Sequence, residues 1–249
     1  MKNFSTDTFF NGKIKVKQNR SGYRFSIDAV LLAYHAGKCP GGRILDLGTG
    51  CGIIPLIMAY RNPKLTVYGI EIQKELADIA TVNVKSNNME NQITILCRDM
   101  KELNYDMISG PVDMVVSNPP YWKVLSGRMN PDQQRAVARH EIKATHFDVI
   151  ETARRMLRTS GRFITVYSSD RITDIITQMR SFNIEPKFLR TIHSNGNSEA
   201  KLILVEGIKG GRPGATIASP LIICHEDGSY TSEVKQMFLP SRSYRLSDN

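Results

Sequence analysis

Along the middle of the chain, short apolar runs alternate with longer segments whose apolar residues recur every three or four positions. Arg43–Leu47, Leu65–Ile70, Ile93–Leu96, Val112–Ser117 and Arg162–Ser168 read as buried strands. Between them, Ile53–Tyr60, Lys74–Asn88, Phe147–Thr159 and Asp170–Phe182 read as helices. In Lys74–Asn88, Leu76, Ile79, Ala80 and Val84 share one face; in Phe147–Thr159, Val149, Ile150, Ala153 and Leu157 do. Ahead of the first strand, a helix is predicted with Ser26 as N-cap and Gly37 as stop. The strand–helix alternation predicts an α/β fold, doubly wound, with helices on both faces of a mostly parallel sheet. Near the C-terminus the pattern changes. Lys187–Ser194 and Lys201–Ile208 are separated by a short stretch around Asn195-Gly196-Asn197, room for a hairpin and not for a crossover helix. A seven-stranded sheet ending in an antiparallel hairpin is expected, with a further short hairpin in 216–235.

The turn after the first strand, "DLGTGCG" (Asp46–Gly52), opens a helix. Its glycines let the backbone turn sharply and approach a ligand closely. They run G-x-G-x-G, not the G-x-G-x-x-G of dinucleotide sites. Asp46, just before the turn, would repel a pyrophosphate but can hold an ammonium, directly or through water. Glu71 ends the next strand, where a carboxylate can accept both ribose hydroxyls. Asp99 follows the third, placed to accept from an adenine amine. Three acids thus close three adjacent strands at the ends where open α/β sheets bind ligands. S-adenosylmethionine, with an amine, a ribose, an adenine and no phosphate, fits that set. Each acid alone is also what a helix cap or turn uses.

The fourth strand ends in "VDMVVSNPPYWKV" (Val112–Val124). Proline cannot donate to a sheet ladder, so Pro119 and Pro120 stop the strand behind Asn118.

Composition narrows the partner. The 249 residues carry a net charge of +9, which suits a polyanion such as nucleic acid. Residues 122–162 hold nine Lys/Arg against four Asp/Glu, and residues 1–24 hold six against one. Lys123, Arg128, Arg135 and Arg139 are the candidate RNA contacts; a solvated helix face would look the same. Cys39, Cys51, Cys97 and Cys224 form no C-x-x-C pair and read as small buried residues in a reducing compartment. The first residues lack the apolar core of a signal peptide, and no apolar run approaches the roughly 20 residues of a membrane-spanning helix. A cytoplasmic protein without a membrane partner is expected, as a monomer or a homodimer.

"DLGTGCG", "GIEI", "CRDM" and "NPPY", in this order, resemble the Rossmann-like class I S-adenosylmethionine-dependent methyltransferases that modify planar nitrogens. With "GYRFSIDAVLLA" upstream and "ARHE" (Ala138–Glu141) downstream, the chain resembles, over its whole length, the tRNA (adenine-N6)-methyltransferases. These modify the adenine 3′ of the anticodon in a valine tRNA. The resemblance implies one methyltransferase domain over 1–249. Within it, 1–40 would be a cofactor-closing extension, and 41–249 a catalytic core with C-terminal hairpins. It implies that Asp46, Gly48 and Gly50 frame the methionine part of the cofactor, that Glu71 holds its ribose and Asp99 its adenine. Ile72 and Met100 beside these acids, and Asn118, stand with them as cofactor-binding positions. Phe25 and Asp28 match a motif that closes over the cofactor.

For such a reaction an adenine amine is a poor nucleophile, because its lone pair is delocalised into the ring. The Asn118 side-chain oxygen and the Pro119 carbonyl can accept its two N–H bonds and aim the lone pair at the sulfonium methyl. Tyr121 offers a face on which an extruded base stacks, worth roughly 1–3 kcal/mol. Trp122 can extend that face or pack in the core; His140 reads as a structural or loop residue. Transfer is an in-line displacement driven by positioning, and no metal is expected. The alternatives are a protein glutamine N5-methyltransferase of the release-factor type, a ribosomal RNA guanine-N2 methyltransferase, and a non-catalytic RNA-binding module on a degenerate fold. The release-factor family carries a helical domain ahead of the cofactor motif, for which the residues before Asp46 leave no room. The guanine-N2 enzymes usually duplicate the domain or carry an added RNA module. Intact Asp46, Glu71, Asp99 and Asn118 weigh against a degenerate module.

Overall fold

The computed structural model describes residues 4–19, 26–37, 39–119 and 145–240. The five central strands are β3 (Gly42–Leu47), β4 (Leu65–Glu71), β5 (Ile93–Cys97), β6 (Val112–Ser117) and β7 (Leu157–Ser168). They are all parallel, in the order β5-β4-β3-β6-β7. Beyond β7, β9 (Ala200–Lys209) runs antiparallel to β7 and to β8 (Ile184–His193), which completes the expected seven. The helices are α1 (Ile27–Ala36), α2 (Ile53–Arg61), α3 (Lys74–Ser86), α4 (His146–Met156), α5 (Ile172–Ser181) and α6 (Ser232–Met237).

Successive residues of the central strands point to opposite faces, and both faces are covered. Ile44, Val67, Met114, Val116 and Ile164 pack under α1 and α2; Leu45, Leu47, Ile70, Val115 and Phe163 pack under α4 and α5. Continuous apolar runs such as "VDMVVS" are what double burial requires. Among the described residues no helix is long and apolar enough to cross a membrane.

Four local features differ from the expectations. The α4 helix stops at Met156, and β7 begins at once at Leu157. The strand then buckles: Ser160 has φ +60°, and the register against β6 shifts between Val112 and Met114. This bulge lets Arg158 reach back to Asp113, at 2.7 Å. Second, 216–235 does more than form the expected short hairpin, whose arms meet where Cys224 bridges Tyr230 and Thr231 N–H donates to the Ile223 carbonyl at 3.0 Å. Two-residue strands, β10 (Thr216–Ile217) and β11 (Leu221–Ile222), each pair parallel with the outer edge of β8. Pro220 between them has no N–H to give, so the segment runs along the edge of β8 in two short contacts and leads on to α6, capped by Thr231. Third, Cys97 is exposed, because β5 is the sheet's edge strand. Fourth, the N-terminus forms a hairpin that the pattern reading missed, β1 (Phe4–Phe9) with β2 (Ile14–Asn19). Its signals are the Asn11-Gly12 turn and the alternation of buried Ile14, Val16 and Gln18 with outward Lys13, Lys15 and Lys17.

Candidate active site

The parallel register sets Asp46 beside Gly69 and Val116, and Glu71 beside Cys97. Asp46, Glu71, Asp99 and Asn118 therefore stand at one edge of the sheet, at or just past the C-terminal ends of β3, β4, β5 and β6. The loop after β3 is bound down onto β4, with Gly48 and Thr49 both donating N–H to the Ile70 carbonyl at 2.9 Å. Gly48 and Gly52 have φ +77° and +84°, the left-handed region where a side chain is strained. A Cβ on Gly52 would press Ala80 at 3.2 Å, whereas one on Gly48 would meet nothing within 4 Å. The backbone at Gly48 thus borders open space.

Asp46 is fully buried. Its Oδ2 accepts from the Thr49 hydroxyl at 2.6 Å. Its Oδ1, also buried, has no hydrogen-bond partner. Burial pushes the carboxyl up to about 7, against the Thr49 bond, and the charge of Glu71 adds to the rise. Glu71, also buried, accepts from Gly50 N–H at 3.0 Å through Oε2 and from Gln73 N–H at 2.9 Å through Oε1. Asp99 is half-buried. It accepts from Lys101 N–H at 2.9 Å, which caps the short 3-10 turn Met100–Glu102, and its Oδ2 lies 3.5 Å from Lys101 Nζ. Met100 is buried and Ile72 half-buried beside these acids.

On the other side of β3, Asn118 is 7% exposed and Pro119 half-buried. Ser117 Oγ donates to the Leu47 carbonyl at 2.8 Å and ties the end of β6 to the mouth of the glycine loop. Asp28 is buried in the first turn of α1; burial raises its carboxyl, and the Ser26 hydroxyl donates to it at 2.7 Å. Ser26 occupies the N-cap position, but its side chain serves Asp28 in place of a backbone N–H. Thr49 and Ser117 were not among the sequence candidates. Their signals are weak: a hydroxyl between two glycines, and one just before Asn-Pro-Pro. Phe25, Tyr121, Trp122, Lys123, Arg128, Arg135, Arg139 and His140 lie outside the described residues.

An orphaned buried carboxylate oxygen beside an open glycine turn suits a cationic ligand, since a positive group there would complete the pairing. A phosphate would add to the negative charge already held by Asp46 and Glu71.

The family model for the Methyltransferase small domain matches residues 21–183. The chain is 31% identical to a tRNA1(Val) (adenine(37)-N6)-methyltransferase of Porphyromonas gingivalis, over 97% of this chain and 98% of that one. A protein of the same name from Bacteroides thetaiotaomicron is 28% identical over 79% of this chain and 82% of its own. Among solved structures, a predicted O-methyltransferase from Agrobacterium tumefaciens superposes with a TM-score of 0.68 at 24% identity, over 84% of this chain and 94% of that one. The M. jannaschii tRNA m1G37 methyltransferase superposes with a TM-score of 0.61 at 14% identity, over 85% and 58%. These two likenesses concern the fold; the sequence relatives and the family model carry the assignment. The chain has a Rossmann-like methyltransferase fold, carries the Methyltransferase small domain, and belongs to the family of tRNA1(Val) (adenine(37)-N6)-methyltransferases.

Proposed function

We propose that this chain transfers a methyl group from S-adenosylmethionine to N6 of adenine 37 in a valine tRNA. Its family membership supports the reaction and the substrate. The observation that carries the site is the unpartnered, buried Asp46 Oδ1 beside Gly48, with Asn118 at the end of the adjoining strand. In this reading Asp46, Gly48 and Gly50 hold the methionine portion of the cofactor, Glu71 its ribose, and Ile72, Asp99 and Met100 its adenine. The cofactor supplies an electrophilic methyl on a sulfonium. Asn118 and the Pro119 carbonyl accept from the adenine amine and orient its lone pair, and Tyr121 stacks on the base. Ser117 holds Asn118 at a set distance from the glycine loop. Asp28, with Phe25, closes over the cofactor from a 1–40 extension that forms one domain with the 41–249 core.

The RNA backbone would meet Lys123, Arg128, Arg135 and Arg139. The outward Lys13, just before β2, and Lys15 of β2 lie in the basic N-terminal stretch and would extend that set. The deciding experiment is methyl transfer to a valine tRNA transcript, followed by nucleoside analysis. N6-methyladenine should form at position 37 and vanish when that adenine is replaced by guanine. Asn118→Ala should lower turnover about a hundred- to a thousandfold while cofactor affinity stays within about threefold, since its acceptor acts on the target amine. Equal loss of cofactor affinity would remove Asn118 from that role.

A further inference from the structure

Helix α3 carries Asn83 and is capped at its C-terminus by Asn87, one turn on, and both side chains reach the N-terminal hairpin. Asn83 is 1% exposed. Its Oδ1 accepts from Lys17 N–H at 2.8 Å, and its Nδ2 donates to the Lys17 carbonyl at 2.8 Å. Asn87 repeats the pattern on Lys15, at 2.9 and 2.7 Å. The two side-chain amides thus pair with alternate residues of β2 as a neighbouring strand would. They differ in the remaining proton of Nδ2. Asn87 gives it to the Asn83 carbonyl, inside the helix, at 2.7 Å. Asn83 gives it to the Cys51 carbonyl, in the glycine loop, at 2.9 Å.

That carbonyl lies between Gly50 and Gly52, both in the left-handed region. On its other side, Gly50 N–H is held by Glu71. The loop is therefore clamped from β4 by one side chain and from α3 by another, and the second clamp is also the hairpin's dock. A loop with so many glycines has many alternative conformations, so fixed hydrogen bonds decide how well it is pre-organised.

We infer that Asn83 is a positioning residue that couples docking of the β1–β2 hairpin to the shape of the cofactor loop. Cofactor binding and hairpin docking then reinforce one another. The inference rests on the reading that this loop holds S-adenosylmethionine.

The test compares Asn83→Ala with Asn87→Ala by calorimetric titration with S-adenosylmethionine, alongside wild type. Both variants lose two bonds to β2, and only the first loses the bond to Cys51. Asn83→Ala should weaken binding about tenfold, the fold-change expected for one hydrogen bond of typical strength. Asn87→Ala should change it less than twofold. Equal losses, or no loss in either, would overturn the coupling and leave Asn83 a packing residue. Hydrogen exchange on the wild type gives a second reading that holds even if Asn83→Ala fails to fold. The Lys15 and Lys17 amides should exchange several-fold more slowly with S-adenosylmethionine bound. Unchanged exchange would also overturn the coupling. Failure of the wild type to bind S-adenosylmethionine would instead count against the proposed cofactor.

Discussion

Two carboxylates in this molecule, Asp46 fully buried and Glu206 partly so, have opposite surroundings. Glu206, on β9, is gripped by Arg162 through two hydrogen bonds, at 2.7 and 2.8 Å, and by His35 at 2.9 Å. Burial acts to raise its carboxyl, but the bonds from His35 and Arg162, with the charge on Arg162, bring it down to about 2. Asp46, on β3, has one hydroxyl for company and an oxygen with no partner, and burial takes it up to about 7. Glu206 joins α1, β7 and β9 and has its charges met within the protein. Asp46 has not, and a charge left unmet at the mouth of a ligand loop marks where a ligand's own charge belongs. Perturbation alone does not single out a site; the direction of the shift and the missing partner do.

The largest way to break this comparison is Glu206→Ala. It strands Arg162 and His35 partly buried, and we expect a loss of about 3 kcal/mol in urea unfolding, with cofactor affinity of the folded protein unchanged. A loss below 1 kcal/mol would remove Glu206 from its structural role. Asp46→Asn should do the reverse. It keeps the volume and an acceptor for Thr49 and removes the cost of burying the charge, so stability near neutral pH should rise, while S-adenosylmethionine affinity falls about 10- to 100-fold for the lost charged contact.

The pH dependence follows from the same pair. Asp46 has a folded pKa raised from 3.8 to about 7, so its contribution to stability is full below 3.8 and lost as pH rises towards 7. Glu206 has a folded pKa lowered from 4.5 to about 2, so its contribution is present above 4.5 and lost as pH falls towards 2. In the proposed site, Asp46 meets the cofactor's ammonium as an ionised carboxylate, so affinity should rise by up to about tenfold per pH unit until about 7 and then level off. In Asp46→Asn that slope should disappear. A slope that survives the substitution belongs to another group.

A smaller effect is expected from Gly69→Ala. The added methyl would sit 2.8 Å from Ile95 Cδ1 and 2.9 Å from Thr49 Oγ1. We expect about 1–2 kcal/mol of destabilisation, with Thr49 pushed off Asp46 and cofactor affinity falling modestly with it. Loss of stability alone, with affinity intact, would show that Thr49 can shift without disturbing the acid.

Where the chain has a strong period, its elements are readable from sequence to within a residue or two. The strand Val112–Ser117 agrees at both ends, and the helix over Ile53–Tyr60 gains only Arg61. Acids at strand ends are equally legible, because the loop motifs place them. The links between elements are not legible. Ser117 reaching Leu47, or Asn83 reaching both Lys17 and Cys51, depends on how distant segments come together, and no local pattern records that. The bulge at Ser160 was hidden for a related reason: "MLRTSGRF" satisfies a helix end and a strand start at once, and the pairing with β6 decides between them.

The placement of β3 has a consequence for how the chain comes off the ribosome. One edge of β3 is met by β4, its near neighbour in sequence. The other waits for β6, which is synthesised only after α3 and β5. Chains emerge N-terminus first, at about 5–20 residues per second, so several seconds pass in which the first half can assemble around an unpaired strand edge that is buried in the finished fold. Such an edge is a template for pairing with another nascent chain. The strand that precedes Asn118 therefore joins the two halves of the sheet, and the glycine loop and the Asn118 turn, the two parts of the proposed site, come together only when it arrives.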